Sequence, residues 1–390
     1  MSTVGGMTHV GGMVAAGYES VRDAFADNFD VHGDVGASLC VYRRGEVVVD
    51  LWGGVADVES GRPYDADTLQ LVFSTTKGMS AICAHMLVER GMLDLDSPVT
   101  HYWPEFAANG KAEISVRQLL SHVGGLAAID EPTTVEEFLA FTPVTERLAA
   151  QPPNWEPGSA RGYHAITFGH LVGELVRRVD GRSLGTFFSH EIVRPLALDA
   201  YIGLPEELEA RVAPLIDFAP TDELSEFMTA ILTPGSMTNR AFLNPPILIA
   251  SFNERPFHAA EIPAVNCITN ARSLARAYAS CVGTVDGVRL LSPSTVESAS
   301  KEQYFGPDLV IVDREPFGNA VGFMLPDSVV PLLGPGSFGH PGMGGSLGFG
   351  HPGHEVGFGY VMNQCIDYDG AADPRTTGLT EALASCLTDA

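Results

Sequence analysis

A chain of 390 residues with 45% apolar and only 18% charged side chains can bury a large core, which excludes a disordered tail or a solvated linker. Its 48 acidic against 23 basic residues give a net charge of −25, a sign that repels phosphate backbones and anionic lipid surfaces. Neither nucleic acid nor membrane is therefore expected as a partner, and the length suits one large domain or two intertwined ones.

The amino terminus, MSTVGGMTHVGGMVAAGYES, has no basic region and no sustained apolar stretch, so it does not read as a signal peptide. No segment approaches the roughly 18 uninterrupted apolar residues of a membrane helix. Cys40, Cys83, Cys267, Cys281, Cys365 and Cys386 lie far apart, without a C-x-x-C pair. Buried free thiols in a reducing compartment follow, and with them a cytoplasmic location.

Tyr18 to Phe29 reads as a short helix, followed by a hairpin with arms Gly36–Tyr42 and Glu46–Trp52 around Arg43-Arg44-Gly45. After Phe73 the period changes: Met79, Ile82, Cys83, Met86 and Leu87 form one buried stripe of a helix that ends at Gly91. From there to about residue 300 helices and loops dominate. Ser115 caps a helix through Leu120, and Thr134 with Glu137 has capping-box spacing. Phe168 to Val179 form a stronger helix stopping at Gly181, and another spans Ala271 to Val282. In the last ninety residues Gly318–Met324, Ser346–Gly350 and Glu355–Asn363 read as strands, with His351-Pro352-Gly353-His354 as a turn and a closing helix near Thr377 to Leu387. With strands at both ends and helices between, one compact body requires the terminal strands to join a single sheet.

Three segments can carry chemistry. In Phe73-Ser74-Thr75-Thr76-Lys77, one of only three lysines falls three positions after a serine at a helix start, where the two side chains share a face. A serine hydroxyl needs a neighbouring base, and burial lowers a lysine pKa toward that role. In Gly162-Tyr163-His164-Ala165 a phenol precedes a helix whose dipole favours phenolate, with His164 and His122 as rival bases. In Phe338-Gly339-His340-Pro341-Gly342-Met343-Gly344-Gly345-Ser346 dense glycines leave N–H groups open, as an oxyanion hole uses.

Two patterns mislead. Gly344-Gly345-Ser346-Leu347-Gly348 fits G-x-S-x-G, but Ser346 leads into a strand and no histidine follows Asp367, so a nucleophile elbow fails. Gly334 to Gly339 fits G-x-G-x-x-G without a following helix and reads as a loop. His351, His354 and Glu355 lack H-E-x-x-H spacing, so no metal and no cofactor are expected.

Taken in order, Ser-x-x-Lys at a helix start, a Tyr ahead of a second helix and a His-x-Gly turn before a late strand resemble the serine β-lactamase and penicillin-binding-protein superfamily. The nearest likeness is to the class C β-lactamase-like (family VIII) carboxylesterases and related acyltransferases. Supporting context runs from about residue 15 to 385 and includes Leu93–Val99, Tyr102–Phe106, Ile114–His122 and Gly359–Asn363. The resemblance implies Ser74 as acylated nucleophile, Lys77 as its partner and Tyr163 as the base. It further implies that the N–H groups of Ser74 and Met343 form the oxyanion hole, with His340 and Gly342 in the place of a Lys-Thr-Gly triplet. The implied fold is α/β of the α+β type, a mostly antiparallel sheet flanked by helices. Residues 1–70 with 265–390 would make the sheet domain and 71–264 the mainly helical one, the active site lying at their junction.

Departures from the family pattern bear on substrate. Ala165 stands where relatives carry the Asn of Tyr-x-Asn, and His340, mostly neutral at pH 7, replaces a fixed lysine charge. Both losses favour uncharged small-molecule esters over β-lactams or D-Ala peptides. Cys267, after Asn266, and the stretch Thr233–Arg240 are expected to reshape the acyl or alcohol pocket. The expected activity is a serine carboxylesterase; the alternatives are acyl transfer to an alcohol or amine, a β-lactamase or D,D-peptidase, and a non-catalytic binding protein. A homo-oligomer is left open.

Overall fold

The computed structural model describes residues 9–219, 224–312, 314–367 and 371–388; the first eight residues of the amino-terminal stretch, read above as no signal peptide, lie outside it. Six strands make the body of the main sheet: β1 (Val10–Val14), β2 (Gly36–Arg43), β3 (Glu46–Asp57), β4 (Phe338–Pro341), β5 (Leu347–His351) and β6 (Val356–Met362). Their order is β1-β3-β2-β6-β5-β4, every neighbour is antiparallel, and Arg62–Pro63 adds a short seventh piece beside β3. The last strand in sequence thus lies against the second, Met362 opposite Ala37. The two chain ends share one sheet, the expected mixed α/β architecture.

Helix α1 (Glu19–Asp30) and the helix α2 (Thr76–Glu89) follow the early strands; α3 (Val116–Leu120) and α4 (Val135–Leu139) start with the capping boxes Ser115/Gln118 and Thr134/Glu137. Helix α5 (Thr167–Asp180) ends at Gly181, whose φ of 91° closes it as a left-handed cap. Helix α6 (Ala271–Val282) lies across β6, β2 and β5, and α7 (Pro374–Thr388) ends the described chain against α1. The approach of α6 to β6 is close: a Cβ on Gly357 would stand 2.3 Å from the Ala275 carbonyl oxygen, so only glycine lets the two backbones meet. A small sheet of Gln70–Leu71, Ile268–Thr269 and Ala200–Tyr201 ties the chain just before α2 to the chain just before α6.

Three sequence expectations need correction. Helix α2 is buried on every side from Thr76 to Leu87, not along one stripe. Its polar residues are matched instead: Ser80 Oγ donates to the Pro263 carbonyl at 2.5 Å and His85 Nε2 meets the Val321 carbonyl at 2.8 Å. The strand read over Gly318–Met324 is only Phe317–Asn319, because Gly322 adopts φ 83° and turns the chain back on itself. Strand β1 was not foreseen, since Gly11 and Gly12 remove the β-branched signal from Val10–Val14. Among the described residues no helix is long and apolar enough to cross a membrane.

Candidate active site

The serine segment is built by a strained entry. Phe73, a bulky residue at φ 42°, throws the chain from Leu71 into a single 3-10 turn, Phe73–Thr75, that runs directly into α2. Such a conformation costs on the order of 1–3 kcal/mol and persists only where packing over-determines it. Here it presents Ser74 half-buried at the head of α2 with Lys77 one turn on, wholly buried. Lys77 Nζ lies 3.0 Å from Ser74 Oγ, 2.7 Å from the Ala165 carbonyl oxygen and 3.1 Å from the Ala264 carbonyl oxygen. Burial alone drives its pKa well below the usual lysine value.

Tyr163 belongs to a loop pinned on both flanks. The Gly162 N–H donates to the His122 carbonyl at 3.2 Å and the His164 N–H to His122 Nδ1 at 3.2 Å. The Tyr163 N–H itself donates to Asp308 Oδ1 at 3.0 Å. Asp308 is fixed in turn by Arg161 at 2.8 Å, both side chains being at most 2% exposed. The phenol so placed reaches the Ser74 hydroxyl, and its ring centroid lies 4.7 Å from Lys77 Nζ. The phenolate expected from the helix dipole is not what the surroundings favour: burial raises the Tyr163 pKa strongly, outweighing the contact with Ser74. The helix begins only at Thr167, four residues later, so the dipole is remote. Neither rival histidine is placed as a base. His164 uses Nδ1 on the Gly162 carbonyl and Nε2 on the Leu126 N–H, and burial lowers both His122 and His164, the latter to about 4.

The third segment enters from the far end of the chain. Strand β4 carries His340, whose Nδ1 meets the Pro341 carbonyl at 2.7 Å and whose ring stands 6.0 Å from that of Tyr163. Burial lowers its pKa to about 3, so it is neutral, with Nε2 unpaired. Gly342 is obligatory by space: a Cβ there would lie 2.1 Å from Ser346 Oγ and 2.3 Å from the Val72 carbonyl oxygen. The turn then closes with Gly345 N–H donating to the Gly342 carbonyl at 3.1 Å. Among the described residues, neither the Ser74 nor the Met343 N–H makes a hydrogen bond, and both residues line one cavity. Ser346 is a strut, its Oγ donating to the Val72 carbonyl at 2.8 Å ahead of strand β5.

The cavity, about 270 Å³, joins Ser74, Tyr163, His340, Gly342 and Met343. Its outer walls are mostly apolar, with Phe218, Phe227, Phe242, Ile311, Met324 and Leu347. The guanidinium of Arg314 on that wall is paired with Asp327 at 2.6 Å. Cys267 does not shape this space. It is fully buried, and its N–H donates to Thr76 Oγ1 at 2.9 Å, locking the start of α2. Residues 233–240 do not line it either; the helices around them supply Phe227 and Phe242 instead. Asp308, Arg161 and Arg314 were not singled out in the sequence, because each acts across more than a dozen residues or through a backbone contact.

The Beta-lactamase family matches residues 22–379. The chain is similar to the esterase/beta-lactamase LipL of Mycobacterium tuberculosis (strain ATCC 25618 / H37Rv), 36% identical over 361 residues that cover 90% of this chain and 82% of that protein. It is also similar to the crystal structure of a family VIII carboxylesterase, 38% identical with a TM-score of 0.88, covering 97% of this chain and 100% of the other. A third similarity is to EstA from Arthrobacter nitroguajacolicus Rue61a, 32% identical with a TM-score of 0.88, over 98% of this chain and 99% of that one.

Proposed function

The chain belongs to the beta-lactamase family, and we propose how it works within it: it is a serine carboxylesterase that cleaves uncharged small-molecule esters through an acyl group on Ser74. The esterase names of its relatives support the activity, and the contact set of Lys77 carries the mechanism. Two of that amine's neighbours are carbonyl oxygens, which only accept. A neutral amine gives its two N–H groups to them and keeps its lone pair for the Ser74 hydroxyl proton.

Ser74 then attacks the ester carbonyl while its proton passes to Lys77, and the oxyanion is received by the unpaired N–H groups of Ser74 and Met343. The Tyr163 phenol, protonated at rest, donates to the departing alkoxide, and the new ammonium, near that ring, returns the proton to the phenolate. Water reverses the sequence to release the acid. The mostly apolar walls and the neutral His340 support an uncharged ester with an aliphatic or aromatic acyl part. We divide the chain into a sheet domain, 1–70 with 265–390, and a helical domain, 71–264, with this cavity between them. Six free thiols support a cytoplasmic setting.

The test is hydrolysis of short p-nitrophenyl esters with intact-protein mass spectrometry. An acyl adduct on Ser74 and its loss, with activity, in Ser74→Ala are expected; a fully active Ser74→Ala ends this reading. Added alcohols separate hydrolysis from acyl transfer by their ester products.

A further inference from the structure

The turn bearing the Met343 amide is braced from behind by a buried guanidinium. Arg375, at the start of α7, is fully buried, and its Nη2 donates to the Gly344 carbonyl at 2.5 Å. Its Nη1 donates to Asp34 Oδ1 at 2.9 Å and to the Gln364 carbonyl at 3.1 Å, while Nη2 also reaches Asp373 Oδ2 at 2.8 Å. Asp34 follows α1 and is held by the Tyr360 hydroxyl of β6. The Asp34 and Arg375 side chains are both 0% exposed, so the pair is sealed from water. The Gly344 carbonyl receives a second donor, the Ile366 N–H at 3.3 Å. Gly344 cannot back away, because its Cα side already rests on Cys365, whose sulfur would lie 2.7 Å from an added Cβ. The Gly342 N–H to Ser346 carbonyl bond, 2.7 Å, closes the turn on its other side.

We propose that Arg375 is a positioning residue of the oxyanion hole: with Asp34 it fixes the Gly342–Gly345 turn so that the Met343 N–H points at the developing negative charge. The proposal rests on the reading of that amide given above. It joins both chain ends to the reacting centre through one guanidinium whose planar fork matches the acceptors around it.

Arg375→Lys keeps a charge beside Asp34 but cannot reach Gly344, Asp34 and Asp373 together. Its kcat should fall by about 10- to 100-fold with KM within about twofold, as for a weakened oxyanion donor. Affinity for a boronic acid that forms a tetrahedral adduct should fall in step with kcat, while affinity for the carboxylic acid product holds. Asp34→Asn should show a smaller loss in the same pattern, and it carries the test if Arg375→Lys does not fold. Leu379→Ala, which loosens the same helix away from the turn, should keep kcat below its melting temperature. Wild-type kcat in both Arg375→Lys and Asp34→Asn, or an equal kcat loss in Leu379→Ala, overturns the proposal. An active Ser74→Ala in the same series shows instead that the underlying reading has failed.

Discussion

Lys77 Nζ stands 2.7 Å from the carbonyl oxygen of Ala165, and that contact ties the amine to the loop that carries Tyr163. A carbonyl here can only accept, so the amine's orientation is fixed whatever its charge. Lys77→Arg, which cannot give up its proton, should lower kcat by about 10²- to 10⁴-fold, the usual worth of a general base. Because burial depresses the lysine pKa, the wild-type rate should hold well below the ordinary lysine range. A rate that is already lost as the pH drops below the ordinary lysine value, about 10.4, would contradict this.

The Tyr163 phenol, whose pKa burial raises, should remain protonated through the ordinary tyrosine range near pH 10. Difference absorbance of wild type against Tyr163→Phe during alkaline titration measures this directly. Tyr163→Phe should also lose kcat by about 10²-fold or more, since the leaving alkoxide loses its donor.

Asp308 holds the N–H of Tyr163 and the guanidinium of Arg161 together. Asp308→Ala should destabilise the fold by about 3–5 kcal/mol, the cost of leaving a buried partner charge unpaired. Asp308→Asn keeps an acceptor for the Tyr163 N–H, so it should recover kcat more fully than stability. Chemical denaturation and steady-state kinetics on the two variants check the split.

Acid should unfold the protein earlier than its carboxylates alone would dictate. Burial lowers His85, His164 and His170 to about 4 and His340 to about 3, against 6.5 for a free imidazole. The folded state therefore binds fewer protons than the unfolded one across that window. The stability these groups confer is complete above pH 6.5 and is lost as pH falls through the folded values. Asp34 opposes them: burial raises it to about 6, so it favours folding as pH falls from there toward 3.8. His122 is lowered in the same direction, so the buried histidines outnumber Asp34 and predict a denaturation midpoint that declines steadily from pH 6.5 to 4.

Ser346→Ala should retain most activity while losing about 1 kcal/mol of stability, since its hydroxyl only braces Val72 and Thr75. Gly342→Ala should abolish activity, because the added carbon has no room between Ser346 and the Val72 carbonyl. Equal losses in both variants would make Ser346 more than a strut.

Features written in neighbouring residues were legible in the sequence: the Ser74/Lys77 spacing, the caps at Ser115 and Thr134, the glycine stop at Gly181. Motif order also put Tyr163 and His340 in the same cavity as Ser74. What could not be read were contacts made across the chain. Asp308 meets Tyr163 over 145 positions and Arg375 meets Asp34 over 341, with no periodicity to announce either. The charge state of Tyr163 is hidden from the sequence for a related reason: a dipole can be inferred from local order, whereas desolvation depends on everything packed around the ring.

Strand β4 and the Met343 turn arrive after residue 337, more than 260 positions behind the nucleophile they complete. A nascent polypeptide emerging from the ribosome would thus display its serine and lysine long before any acyl-transfer centre existed. A chain cut short before residue 338 would carry Ser74 and Lys77 without His340, Gly342 or the Met343 turn, and its expected activity is nil.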